Sequence, residues 1–173
     1  MKLTNYFIKK QVQALAATPG DRMRRFCKLE DAREVMVLFE WTDREDIEMC
    51  LKKLRTYSKH IVPCMYMAEE KDPQANSSYI LIREKVDLDV WYKPKQRTCE
   101  RFNKVQADIL IDLTKQDCYP MHYLLLQHPA GLKVGIRHEG IDLYDLTILV
   151  KENKDVKQLF EHILFYLCTI RSK

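Results

Sequence analysis

The 173-residue chain has no run approaching the roughly 18 consecutive apolar residues that a membrane-spanning helix requires. Its first residues also lack the uncharged apolar segment of a secretory signal, because Lys9 and Lys10 interrupt NYFIKKQVQALA. No membrane span and a cytoplasmic location are therefore expected. Cys27, Cys50, Cys64, Cys99, Cys118 and Cys168 form no C-x-x-C pair and follow no regular spacing. This excludes the usual patterns of a zinc site or a disulfide framework. The G-x-S-x-G elbow, the P-loop and H-E-x-x-H are missing, as are RNP-like, KH and helix-turn-helix signatures. No metal and no cofactor are expected, and nucleic acid is not an expected partner.

What is present is the composition of a globular protein. Hydrophobic residues make up 46% and charged residues 31%, and the length suits one domain with a real core. The basic excess is local. Residues 1–33 hold eight Lys/Arg against Asp21, Glu30 and Asp31, a balance of +5, while the remainder has 21 against 22, or −1. Lys9, Lys10, Arg22, Arg24 and Arg25 thus form a candidate basic surface for an anionic partner. The bland reading is a solvated helix face followed by a basic connector.

Residues 3–17 carry Leu3, Tyr6, Phe7, Val12, Leu15 and Ala16 at helical spacing and end before TPGD. EVMVLFEW reads as a strand; TDRE, with Thr42 and Glu45, reads as a capping box opening a helix that aligns Ile47, Cys50, Leu51 and Leu54. HIVPCMYM reads as a second strand, with Pro63 arguing for an edge or a bulge. After the polar loop AEEKDPQANSS come two short strands, YILIRE and VDLDVWY, and a helix over 95–105. Asp108–Leu113 is a strand, Tyr119–Gln127 a helix, and LKVGIR and YDLTILV are strands joined through a turn at Glu139–Gly140. A final helix runs from Val156 to Ile170. Alternating strands and helices, several strands apolar throughout, define an α/β fold. We expect a single three-layer Rossmann-like domain, with a mostly parallel sheet covered by helices on both faces. Residues 1–33 form a leading helix and basic connector, and residues 34–173 the α/β domain.

Chemistry concentrates in ADILIDLTKQDCYPMHYLLLQHPA. In an open parallel sheet, ligands bind outside the carboxyl ends of the strands, where Asp112, Thr114, Lys115, Asp117 and Cys118 would sit. Cys118 and His122, four residues apart, suit a thiolate–imidazolium pair on one helix face. Against this, TKQDCYP contains no glycine to cradle a phosphate, and Asp117 is placed to cap the helix with Pro120 in its first turn. A carboxylate there would repel an anion. Acidic residues recur at the other strand ends (Glu40, Asp43, Glu45, Asp46, Glu69, Glu70, Asp72, Glu152 and Asp155). Cys50, Cys64 and Cys168 read as small buried hydrophobes, and His128 and His138 as solvated.

ADILIDLTKQDCYPMHYLLLQHPAGLKVG together with YDLTILV resembles a small uncharacterised bacterial family of single α/β domains with the same strand, polar turn and P-x-H-Y order. The resemblance spans most of Val35 to Ile170 and implies the fold but no activity. A looser similarity is to the N-terminal half of heptosyltransferase-like enzymes, through ILIDL and GLKVGI. Those enzymes use two such domains and a Gly-rich turn, which this sequence lacks, so that likeness bears on fold alone.

Three functions remain in play. The first is a non-catalytic protein-interaction or regulatory module; the broadly apolar last helix needs a second neighbour, either another subunit in a homodimer or the N-terminal helix. The second is a small ligand binder or enzyme acting on a nucleotide or sugar nucleotide near Asp112, with Thr114, Lys115, Cys118 and His122. The third is a binder of an anionic surface or RNA through the basic N-terminal segment.

Overall fold

The computed structural model describes residues 3–18, 20–57, 60–69, 78–115, 117–138, 140–149 and 155–171. Six strands form one sheet: β1 (Glu34–Glu40), β2 (His60–Met67), β3 (Ile80–Arg83), β4 (Ile109–Asp112), β5 (Leu132–Ile136) and β6 (Leu146–Ile148). Every pairing is parallel, in the order β3-β2-β1-β4-β5-β6. This is the doubly wound order, with its topological switch between β1 and β4.

Strand periodicity sorts the core into two layers. Val35, Val37, Phe39, Ile109, Ile111, Leu132 and Val134 face one side. There α2 (Arg44–Leu54) supplies Ile47, Leu51 and Leu54, and α6 (Val156–Thr169) supplies Leu159, Phe160, Ile163, Leu164 and Leu167. Met36, Leu38, Cys64 and Leu110 face the other side, under α1 (Leu3–Ala17), α4 (Gln96–Asn103) and α5 (Tyr119–Gln127). The strand order reverses at the switch and the crossover helices change faces with it, α2 after β1 and α5 after β4. A single crossover hand requires that change. Asp112, two residues past Leu110, therefore points beneath α5.

Several expectations are corrected. Pro63 lies in an interior strand, paired to Val37; the ladder to β3 begins only at Cys64, so β3 does not flank Pro63. VDLDVWY is not a strand. Glu84–Asp87 is a one-turn helix, α3, and only Leu88 forms a bridge, to Pro94. Its carboxylates capture backbone N–H groups instead: Asp87 accepts from Arg83 N at 2.8 Å, and Asp89 from Trp91 N and Lys93 N at 2.8 and 3.0 Å. Such local acceptors compete with a ladder. The Thr42–Glu45 capping box does not form, because Trp41–Asp43 is a 3-10 turn and the N-cap of α2, Asp43, makes no side-chain cap bond.

Helix α1 does not back α6. It packs on α5, across the sheet, and buries Ile8 and Val12. Cys50 and Cys64 are buried as expected, but Cys168 is exposed. His128 and His138 are both buried. His128 Nε2 donates to Val105 O at 2.9 Å while its Nδ1 accepts from Ala130 N, so both ring nitrogens are satisfied without solvent. Most of the polar loop after β2 lies outside the described residues, as do Glu70, Asp72, Glu139 and Glu152.

Candidate functional site

The carboxyl end of β4 brings four of the sequence candidates together, yet turns them inward. Asp112 Oδ1 accepts from Thr114 N at 2.9 Å and Thr114 Oγ1 at 2.7 Å, and Oδ2 accepts from Tyr144 Oη at 2.9 Å. His122, fully buried on α5, sets Nε2 3.5 Å from Thr114 Oγ1 and 3.8 Å from Asp112 Oδ2. Its ring meets that of His138 edge to face at 4.6 Å, and His138 Nε2 lies 3.0 Å from Tyr144 Oη. His122 Nδ1 has no hydrogen-bond partner among the described residues.

Burial governs the charge states. It holds the His122 imidazole down at about 4 and pushes the Asp112 carboxyl up, against the pull of its Thr114 and Tyr144 hydrogen bonds. The Tyr144 hydroxyl is also driven well above its ordinary range by burial and by Asp112. Cys118 is sealed beside them, and burial, then Glu40 and Asp112, raise its thiol well above the ordinary value. Burial thus disfavours both the thiolate and the imidazolium of the expected Cys118–His122 pair. The imidazole addresses Thr114 and Asp112 instead.

The switch crevice itself is spanned. Glu40, at the end of β1, accepts from Lys115 N at 2.8 Å, while Lys115 Nζ donates to Thr42 Oγ1 at 3.1 Å and lies 3.8 Å from Glu40 Oε2. Burial pushes the Glu40 carboxyl up, and the Lys115 backbone N–H partly offsets this. The backbone donor that a phosphate would seek at this point is already engaged. Asp117 does not cap α5. Cys118 occupies the N-cap, no side chain caps it, and Pro120 sits in the first turn as expected.

The basic candidates divide. Arg22 grips both oxygens of Asp145 at 2.5 Å and donates to Ala130 O at 2.8 Å; Arg24 Nε lies 3.3 Å from the same carboxylate. Asp145 also accepts from Lys133 N at 2.9 Å. Two of the five cations are thus spent tying the connector to β5 and β6. Arg25 is exposed, and its backbone N donates to Gly131 O at 2.9 Å. Lys9 and Lys10 lie on α1, over the rings of Tyr119 and Tyr6.

The sequence singles out neither Tyr144 nor the roles of the other two partners: Glu40 stands there only among the strand-end acids, and His138 reads as solvated whereas it is buried. One signal was available. Gly135, alone inside the strand LKVGI, marks a close approach, and a Cβ there would collide with the Tyr144 ring. Tyr144 can reach Asp112 only because β5 is bare at that point. Beyond it, Arg137, Gly140, Tyr144 and Thr147 line an open cleft of about 630 Å³.

These features define a doubly wound α/β domain whose strand-end polar groups are bonded mainly to one another. The chain belongs to a family of unknown function (DUF6913), whose model matches residues 4–170. No curated protein and no solved structure matches it.

Proposed function

We propose that the domain works as a non-catalytic interaction module and self-associates through α6. The observation that carries this reading is the outer face of that helix. Leu159, Phe160, Ile163, Leu164 and Leu167 cover the sheet, yet Phe165 is still 64% exposed and Tyr166 44%, their rings packed edge to face at 5.6 Å. The ion pairs Lys53–Glu161 and Lys157–Asp46 tie α6 to α2 and hold that face in place. An aromatic pair on a helix suits an isologous twofold contact, in which each copy meets the same patch on the other. A binding role is further supported by the strand-end groups, which are engaged with one another and with the backbone.

Sedimentation over a concentration series tests this reading. A dimer is expected at micromolar concentrations, and Phe165→Glu should weaken it by about a hundredfold or more, because a carboxylate would be buried without a partner. A wild-type monomer at high micromolar concentration would end the proposal.

A second reading rests on the cleft beside Tyr144. The Arg137 guanidinium makes no ion pair among the described residues and borders a volume sufficient for a small anionic ligand. If a nucleotide or sugar nucleotide binds there, it should raise the melting temperature, and Arg137→Ala should abolish that rise without changing the unliganded value. No shift with any such compound would remove this reading.

A further inference from the structure

We propose that the opposite side of the domain, around α1 and the turn at 89–93, docks on an anionic membrane surface. Four apolar side chains protrude there: Tyr6 (45% exposed) and Phe7 (42%) from α1, Val90 (78%) and Trp91 (47%) from the turn. The Phe7 and Trp91 rings meet at 4.9 Å, and Tyr6 lies 6.0 Å from Phe7, so helix and turn form one continuous patch. The turn is braced to present its tip. Asp89 holds Trp91 N and Lys93 N through its carboxylate, and its own N donates to Lys93 O at 2.9 Å. Tyr92 adopts a φ of +62°, a left-handed conformation that a bulky side chain tolerates only where its surroundings impose it.

Cations rim this patch. Lys10 lies over Tyr6 at 5.7 Å, Lys9 over Tyr119 at 5.9 Å and Lys93 over Tyr123 at 5.6 Å. None of the three forms an ion pair with a described residue. The nearby carboxylates are engaged elsewhere, Asp87 and Asp89 on backbone N–H groups and Glu84 on Tyr66 Oη at 2.7 Å. An apolar centre with Trp and Tyr, ringed by lysines, is complementary to headgroups above and acyl chains below. RNA fits less well. Bases need open ring faces on which to stack, whereas Phe7 and Trp91 are engaged with each other and the most exposed member, Val90, is aliphatic. This surface lies across the sheet from α6, so docking and self-association are independent.

Vesicle flotation of the intact chain tests the proposal, with phosphatidylcholine alone and with added phosphatidylglycerol. Three lysines near the surface should favour the anionic vesicles by about a hundredfold at low salt, and the preference should shrink as salt rises. Lys9→Gln with Lys10→Gln should remove about tenfold or more of it. Val90→Asp should reduce binding at least as far while leaving the melting temperature unchanged, because that side chain is exposed. The proposal is overturned by equal partitioning into neutral and anionic vesicles, by binding that ignores Val90→Asp, or by binding to RNA without binding to vesicles.

Discussion

Replacing Gly135 with alanine is expected to destabilise the domain by about 3 kcal/mol or more, although only one methyl group is added. The new Cβ would lie 2.9 Å from Tyr144 Cε2 and closer still to Cζ and Cε1. Strand β5 is interior and paired on both flanks, so the ring must yield. Its displacement breaks the bond from Tyr144 Oη to Asp112 and the contact with His138. A buried carboxylate then loses a donor, which is the costly part. Urea unfolding of a double-mutant cycle separates this from a generic strand effect. In a Tyr144→Ala background, Gly135→Ala should be close to neutral, since the clash is gone. An equal cost in both backgrounds would show that Tyr144 is not the reason for the glycine.

Stability should also fall steeply as pH drops from about 6.5 to 4. His122 and His128 are buried, and burial lowers both imidazoles from 6.5 to about 4. A depressed histidine pKa means that the unfolded chain binds the proton first. Each residue's contribution is therefore complete above pH 6.5 and shrinks with acidification until the folded form is protonated as well. The loss is about 3 kcal/mol per histidine over that interval. Asp112 works in the opposite sense, because its raised carboxyl takes up a proton on the folded side. Denaturant titrations between pH 7.5 and 4.5 should show a slope steeper by nearly one proton for the wild type than for His128→Gln, because Asp112 offsets both proteins alike. A flat profile would mean that neither imidazole is held neutral by the fold.

Much of the architecture was legible in the residues. The helices over 3–17 and 119–127 and the strand over 60–67 have the bounds that their local patterns require. Binary periodicity is a short-range property, and the continuous apolar runs of β1 and β4 announced a sheet covered on both faces. The departures have equally local causes, such as the Asp87 and Asp89 carboxylates that turned VDLDVWY away from a ladder.

The candidate site was legible only as a place. Asp112, Thr114 and His122 do converge, but the partners that close the cluster, His138 and Tyr144, lie far beyond Asp112 in the chain, Tyr144 by 32 residues, and enter only because β5 stands beside β4. The glycine that admits them carries that information only once its neighbour is known.

By itself, then, the sequence determined the fold class, the order and type of most elements and the apolar faces they must bury, because these follow from side-chain period and backbone preference within a few residues. The tertiary structure alone decided the strand order, the burial of His128 and His138, the capture of Arg22 and Arg24 by Asp145 and the bridging of the crevice by Glu40. Each of these is a pairing between groups distant in the chain. Such pairings depend on which strands become neighbours and on which polar groups are left without water, and no local pattern encodes either.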